Sequence, residues 1–261
     1  MAHPSDLSHD TLLGGRIAYS QFRIGYRTGL EPVLMAAAVP ARAPQRVAEI
    51  GCGAGAGLLC LSQRIAGLTG TGVEQNAETA TLARQNLSAN ARDGLTILNA
   101  RFPETLPNGP FDHCFANPPW HDPDGTASVI ERRDLARRAQ PDTLKLWIRG
   151  SARLLRHKGS LTLALPVSLM AAAITQLTES GFGGVTTYPF WPKAGREARI
   201  LLLQARYGVR SPARLLPGMI LHEEDGSFTA QARAVLEEGA ALPGLQEARV
   251  PLEPRRGRSL T

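Results

Sequence analysis

The chain has 261 residues, 43% of them hydrophobic, which supplies a sizeable core and excludes a wholly disordered protein. Its formal charge of +6 suits a polyanionic partner, although charge of this size does not by itself single out nucleic acid. Cys52, Cys60 and Cys114 are an odd number with no CxxC pair, and the six histidines build no metal-spaced cluster with them, so neither a disulfide framework nor a metal is expected.

The opening residues, MAHPSDLSHD, are polar and read as a loose arm to about Gly15, not as a signal peptide. No apolar run reaches the roughly 18 residues that span a bilayer, so a cytoplasmic location and no membrane partner are expected. GGRIAYSQFRIGYRTG mixes aromatics, arginines and glycines and fits a short hairpin. Leu30 to Val39, rich in alanine and leucine and closed by Pro40, predicts a buried helix. Thereafter strands and helices alternate. Arg46 to Ile50 predicts a strand, followed at once by glycines and a helix to about Ile65. A second strand ends at Glu74, a helix covers 77–90, LTILNA is a third strand, and FDHCFA a fourth that runs into NPPW. Leu144 to Leu155 predicts a helix with Leu144, Trp147 and Ile148 inward and Arg149, Arg153 and Arg156 outward. SLTLALPV is a central strand because its apolar run is nearly continuous. SLMAAAITQLTESG is a helix ended by Gly181, and VTTYPFWP and ARILLLQARYG are two late strands, antiparallel neighbours. From Ser211 the chain is rich in proline and glycine, with a short helix at AQARAVLEEG.

This pattern predicts an α/β protein with a mostly parallel sheet covered by helices on both faces, with ligands at the carboxyl ends of the strands. Three parts are expected: 1–45, an arm and leading helix; 46–210, the core; and 211–261, an appendage packed on the core or trailing it.

Two motifs carry chemistry. EIGCGAGAG, from Glu49 to Gly57, places Gly51, Gly53 and Gly55 between a strand and a helix, where backbone can turn tightly and a ligand can approach closely. Its GxGxG spacing differs from the dinucleotide fingerprint. Glu74 ends the second strand, where a carboxylate can accept hydrogen bonds from both hydroxyls of a ribose; Gln75 adjoins it. Glu49, so near a core strand, needs a partner, such as an ammonium group or a water. Ala100 and Arg101 follow the third strand, where an adenine edge would sit. The second motif is Asn117-Pro118-Pro119-Trp120. The asparagine oxygen and a backbone carbonyl can accept both hydrogens of an amino group and turn its lone pair toward an incoming carbon. Trp120 offers a stacking face, roughly 1–3 kcal/mol for a base, and the prolines stiffen the turn.

On these motifs the chain resembles class I methyltransferases of the N6-adenine group, and more closely the bacterial tRNA1(Val) (adenine-37 N6)-methyltransferase family, from about Gly14 to about Gly239. The resemblance implies a Rossmann-like, seven-stranded fold. It implies S-adenosylmethionine as methyl donor, S-adenosylhomocysteine as product and an adenine of tRNA, in the anticodon loop, as acceptor. It places the amino-group motif on Asn117 to Trp120. Methionine-end contacts fall on Glu49, Gly51, Cys52, Gly53 and Gly55, ribose contacts on Glu74 with Gln75, and Asn117 counts among the cofactor-binding residues as well. Thr28 and Gly29, in YRTGLEPVLMAAAVP, fall in the stretch that closes over the cofactor. The chain departs from the family in Glu49, where aspartate is usual, and in Trp120, where tyrosine is usual. The same motif also serves release-factor glutamine-N5 and ribosomal RNA guanine-N2 methyltransferases, and a scaffold that only binds RNA is the non-enzyme alternative; no obligate protein partner is evident.

Between His121 and Gly159 nine Lys or Arg face five Asp or Glu. The pairs Arg132, Arg133 and Arg137, Arg138, joined by Lys193 and Arg196, are candidates to grip phosphates around a flipped base; the alternative is a solvated helix surface.

Overall fold

A computed structural model describes residues 6–25, 27–119 and 143–245. Trp120 and the four paired arginines fall outside the described residues. Strands β1 (Leu7–Leu12) and β2 (Ile17–Phe22) form an antiparallel hairpin, in register from Leu7 opposite Phe22 to Leu12 opposite Ile17. This corrects the loose arm expected before Gly15. LSHDTL lacks the apolar alternation of a half-buried strand, and none of its residues is fully buried; its pairing comes from β2, which packs Ile17 and Tyr19 into the core.

Helix α1 (Glu31–Ala38) buries six of its eight residues and carries Pro32 in its first turn, where the missing N–H costs nothing. The core then alternates β3 (Arg46–Ile50), α2 (Ala56–Arg64), β4 (Thr69–Glu74), α3 (Ala77–Ala89), β5 (Leu95–Asn99), β6 (Phe111–Ala116), α4 (Thr143–Leu154), β7 (Leu155–Pro166), α5 (Met170–Glu179), β8 (Phe182–Trp191) and β9 (Ile200–Tyr207). The sheet order is β8-β9-β7-β6-β3-β4-β5, parallel except for β9, which runs antiparallel to both neighbours. Crossing from β3 to β6 while β4 and β5 lie on its other side creates the switch point where open α/β sheets bind ligands.

Among the described residues the sheet has nine strands where seven are expected. The extra two, β10 (Arg214–Leu215) and β11 (Met219–Ile220), are two-residue strands pairing along the outer edge of β8. They cover a row of backbone groups that would otherwise stay open, and segments so short leave no periodic signal. Helix α6 (Ala230–Leu236) follows, and Leu242 donates its N–H to Ala37 O at 2.9 Å.

Strand alternation sends side chains to two cores. Val47, Phe115, Ala164 and Leu202 join the hairpin, α1, α2, α3 and α6 on one face. Ala48, Ile50, Cys114, Leu161, Leu163 and Leu201 meet α4 and α5 on the other.

Candidate functional site

Three sequence motifs that lie far apart in the chain meet on one row of the sheet. Ile50 of β3 pairs with Val73 of β4 on one side and Ala116 of β6 on the other. The next residue of each strand path is therefore Gly51, Glu74 and Asn117, in that register. Neighbouring strands are about 4.8 Å apart, so the acid and the asparagine stand about 10 Å from each other across the glycine loop. Glu74 also pairs with Asn99 of β5, which brings Ala100 and Arg101 to the same edge.

The glycine loop leaves β3 with Gly51, Gly53 and Gly55 all at positive φ, from 55° to 89°. Gly51 and Cys52 donate their N–H groups to Val73 O, at 2.8 and 3.0 Å, which ties the loop to β4. A Cβ on Gly53 would meet nothing within 4 Å, so the outer side of the loop is open to an approaching ligand. Glu74 spans the loop: one oxygen accepts from Gly53 N at 3.1 Å and the other from Asn76 N at 2.8 Å. Each oxygen keeps a second lone pair, the acceptor pair that the two hydroxyls of a ribose require. Burial raises the Glu74 pKa, against the backbone N–H groups of Asn76, Gly53 and Gln75.

Glu49 lies deeper, 3% exposed, and accepts from Leu58 N at 2.9 Å, one of the unpaired N–H groups at the start of α2. Burial pushes its carboxyl up to about 8, with the Leu58 N–H opposing and Glu74 adding to the rise. Such a group is poised to ionise when a cation arrives. Between pH 4.5 and about 8 the folded chain holds a proton that the unfolded chain has released, so this group's contribution to stability falls as pH rises through that window. Without added ligand, the melting temperature should drop from pH 5.5 to pH 8.5, and Glu49→Gln should flatten that drop and melt several degrees higher at pH 8.5. Parallel melting curves for the two proteins would contradict this ionisation. Cys52 is buried beside these acids, and burial first, then Glu49 and Glu74, hold its thiol well above the usual range, so it is no nucleophile.

Asn117 is half-buried and follows β6, all six of whose residues are buried; Pro118 is buried and Pro119 half-buried. The rigid strand thus delivers the carboxamide to the edge of the cleft. Thr28 is held by the hairpin: Tyr19 Oη lies 2.7 Å from Thr28 Oγ1, and Thr28 N donates to Gln21 Oε1 at 2.9 Å. Gln21 Nε2 donates to Asp10 at 2.7 Å, and Arg27 pairs with Asp10 at 3.1 Å. Gly29 is exposed, and a Cβ there would strike Glu31. Arg101 pairs with Glu104 at 3.4 Å in the open. Lys193 and Arg196 lie in the β8–β9 loop at the same sheet edge; Lys193 donates to Glu224 O at 2.6 Å and Arg196 is exposed.

Three residues joined to this site receive no role from the motif reading. Trp147 of α4 covers Gly51, where an added Cβ would come within 2.7 Å of its ring, and it meets Phe102 edge-on at 5.9 Å. Gly57 sits under Glu49, whose carboxylate oxygen a Cβ would strike; a glycine inside a helix's first turns is the signal that marks it. Asn86 of α3, 3% exposed, exchanges hydrogen bonds with Ser20 N and O and also donates to Ala54 O. It fastens the hairpin and the glycine loop to one helix.

The strand order and this row of glycine loop, acid and Asn-Pro-Pro turn define the class: the fold is that of class I methyltransferases. A predicted O-methyltransferase from Agrobacterium tumefaciens has a solved structure that superposes with a TM-score of 0.66 at 25% identity, covering 81% of this chain and 97% of that one. A 16S rRNA N2 methyltransferase from T. thermophilus, solved with AdoMet and guanosine, superposes at 0.54 and 19% identity, over 77% of this chain and 50% of its own. The methyltransferase small domain model matches residues 31–187, more than half of the chain, and the chain belongs to that family. Among its relatives is the tRNA1(Val) (adenine(37)-N6)-methyltransferase of Aeromonas hydrophila, 25% identical over 209 residues, which are 79% of this chain and 87% of the relative. The enzyme of the same name from Dickeya chrysanthemi is 25% identical over 238 residues, 86% and 93% of the two chains.

Proposed function

We propose that this methyltransferase moves the methyl group of S-adenosylmethionine to the N6 amino group of an adenine in tRNA. The carrying observation is the single row Glu74, Gly51, Asn117, which sets a diol acceptor and an amino-group acceptor about 10 Å apart on either side of a glycine loop. The residues fit that cofactor: Glu74 retains two lone pairs for the ribose, the space outside Gly53 is open, and buried Glu49 lies close to the place where the cationic methionine end would rest.

When bound, the sulfonium supplies an already activated methyl group, which is the hard part of the chemistry. The chain's own residues orient the acceptor. Asn117 Oδ1 and a backbone carbonyl of the motif take the two amino hydrogens, which turns the nitrogen lone pair toward the glycine loop. Alignment of nitrogen, carbon and sulfur then supplies most of the rate enhancement. The amino proton becomes acidic as the new bond forms and leaves to water, so no strong base is needed. Trp147, backed by Phe102, covers the glycine loop at Gly51, and Thr28, fixed by Tyr19 and Gln21, closes the cleft from the hairpin.

The names of the relatives support tRNA as substrate, and the Asn-Pro-Pro turn supports nitrogen over oxygen as acceptor. Labelled S-adenosylmethionine, offered with unmodified tRNA in one tube and release factor in another, should label the tRNA. Label in release factor alone would move the acceptor to a glutamine side chain.

A further inference from the structure

Helix α4 packs through Trp147, Ile148, Gly150, Ser151 and Leu154. At 3.6 residues per turn, Lys145, Arg149 and Arg153 fall on the side opposite that packed face. Arg149 and Arg153 are exposed and Lys145 is half-exposed. Together they form a basic stripe about 12 Å long.

This charge pattern works against the helix that carries it. The helix, TLKLWIRGSARL, has no acidic residue, and among the described residues no carboxylate pairs with any of the three cations. Lys145–Arg149 and Arg149–Arg153 are like charges four apart, which repel. Lys145 also occupies the first turn, where the helix dipole disfavours a cation; only Arg153, in the last turn, is favourably placed. Arrangements that cost local stability mark functional surfaces. The stripe is also well placed, because Trp147, two residues after Lys145, lies against Gly51 at the mouth of the cleft. Leu146, 45% exposed, adds apolar surface beside the upper end.

We infer that the outer face of α4 is a phosphate track along which an RNA substrate lies while its target base enters the cleft. Lys145 takes the phosphate nearest the site, and Arg149 and Arg153 follow the backbone away from it. The inference rests on the RNA reading above and extends it to residues outside the amino-group motif.

The test is a filter-binding titration of unmodified total tRNA at stepped KCl, with wild type and the triple variant Lys145→Gln, Arg149→Gln, Arg153→Gln. Removing three phosphate contacts should flatten the slope of log affinity against log salt by about 2 and weaken binding about tenfold or more near physiological salt. The cofactor titration should be unchanged, and the melting temperature should not fall, because the variant removes repulsion. An unchanged slope would overturn the track, as would a loss of tRNA affinity that appears only with a matching loss of cofactor affinity and melting temperature. Absence of N6-methyladenosine with the slope change intact would instead overturn the acceptor assignment and leave the track standing.

Discussion

An Asn117→Ala variant is expected to bind S-adenosylmethionine as tightly as the wild type and to turn over about 100- to 1,000-fold more slowly, the range seen when one preorganised hydrogen-bond partner is removed from a reacting centre. The reason is positional. Asn117 stands one residue beyond the Ile50–Ala116 pair, at the end of a strand whose side chains are all buried, so the backbone holds the carboxamide in place without help from the cofactor. Its loss leaves the amino group with one acceptor and its lone pair free to point elsewhere. The ribose and methionine contacts lie on other strands and should not change. The measurement is cofactor titration beside product counting, and turnover at the wild-type rate would remove Asn117 from the reaction.

Glu74→Ala should give the reverse pattern, with cofactor affinity down about 100-fold and turnover at saturating cofactor changed far less. A hydrogen bond to a charged group contributes about 1.5–3 kcal/mol, and two to a ribose diol give about 3 kcal/mol or more, a factor of about 100. The variant also strips Gly53 N and Asn76 N of their acceptor, so the loop loosens. Glu74→Gln separates the two effects. A carboxamide oxygen still accepts from one of those N–H groups but replaces one ribose acceptor with a donor. Its affinity should fall less than that of the alanine variant, and its melting temperature should stay near that of the wild type. Equal affinity in all three proteins would place the ribose elsewhere.

The core of the fold was legible because its strands are short apolar runs bounded by glycine, asparagine and proline, and its helices carry one-sided patterns. The strand-end positions of Glu74 and Asn117 were legible for a related reason: a polar residue closing an apolar run stands out against it, and the register sets both on one row. The antiparallel β8–β9 pair also followed from the pattern. What escaped was held by contacts that leave no periodic trace. LSHDTL pairs with β2 with none of its residues fully buried. Residues 214–220 add two short strands to an edge that the sequence does not announce. Trp147 reads as an ordinary inward residue of α4, and only the packing of that helix across the sheet shows its ring over Gly51. Asn86 sits in a helix whose visible pattern is Ala80, Ala83 and Leu87; its role appears once Ser20 and Ala54 are seen on either side of it. Lys193 reads as a free cation, yet it binds Glu224 O, because charge counting does not see a backbone carbonyl brought close by the chain's return.

The central claim is that Asn117-Pro118-Pro119 presents the N6 amino group of adenine to the methyl donor. The most direct measurement is the identity of the methylated nucleoside, obtained by digesting tRNA after reaction with labelled S-adenosylmethionine and resolving the product by chromatography and mass. N6-methyladenosine, absent when Asn117 is alanine, is the result this account predicts. N2-methylguanosine, or methyl on a ribose oxygen, would contradict it.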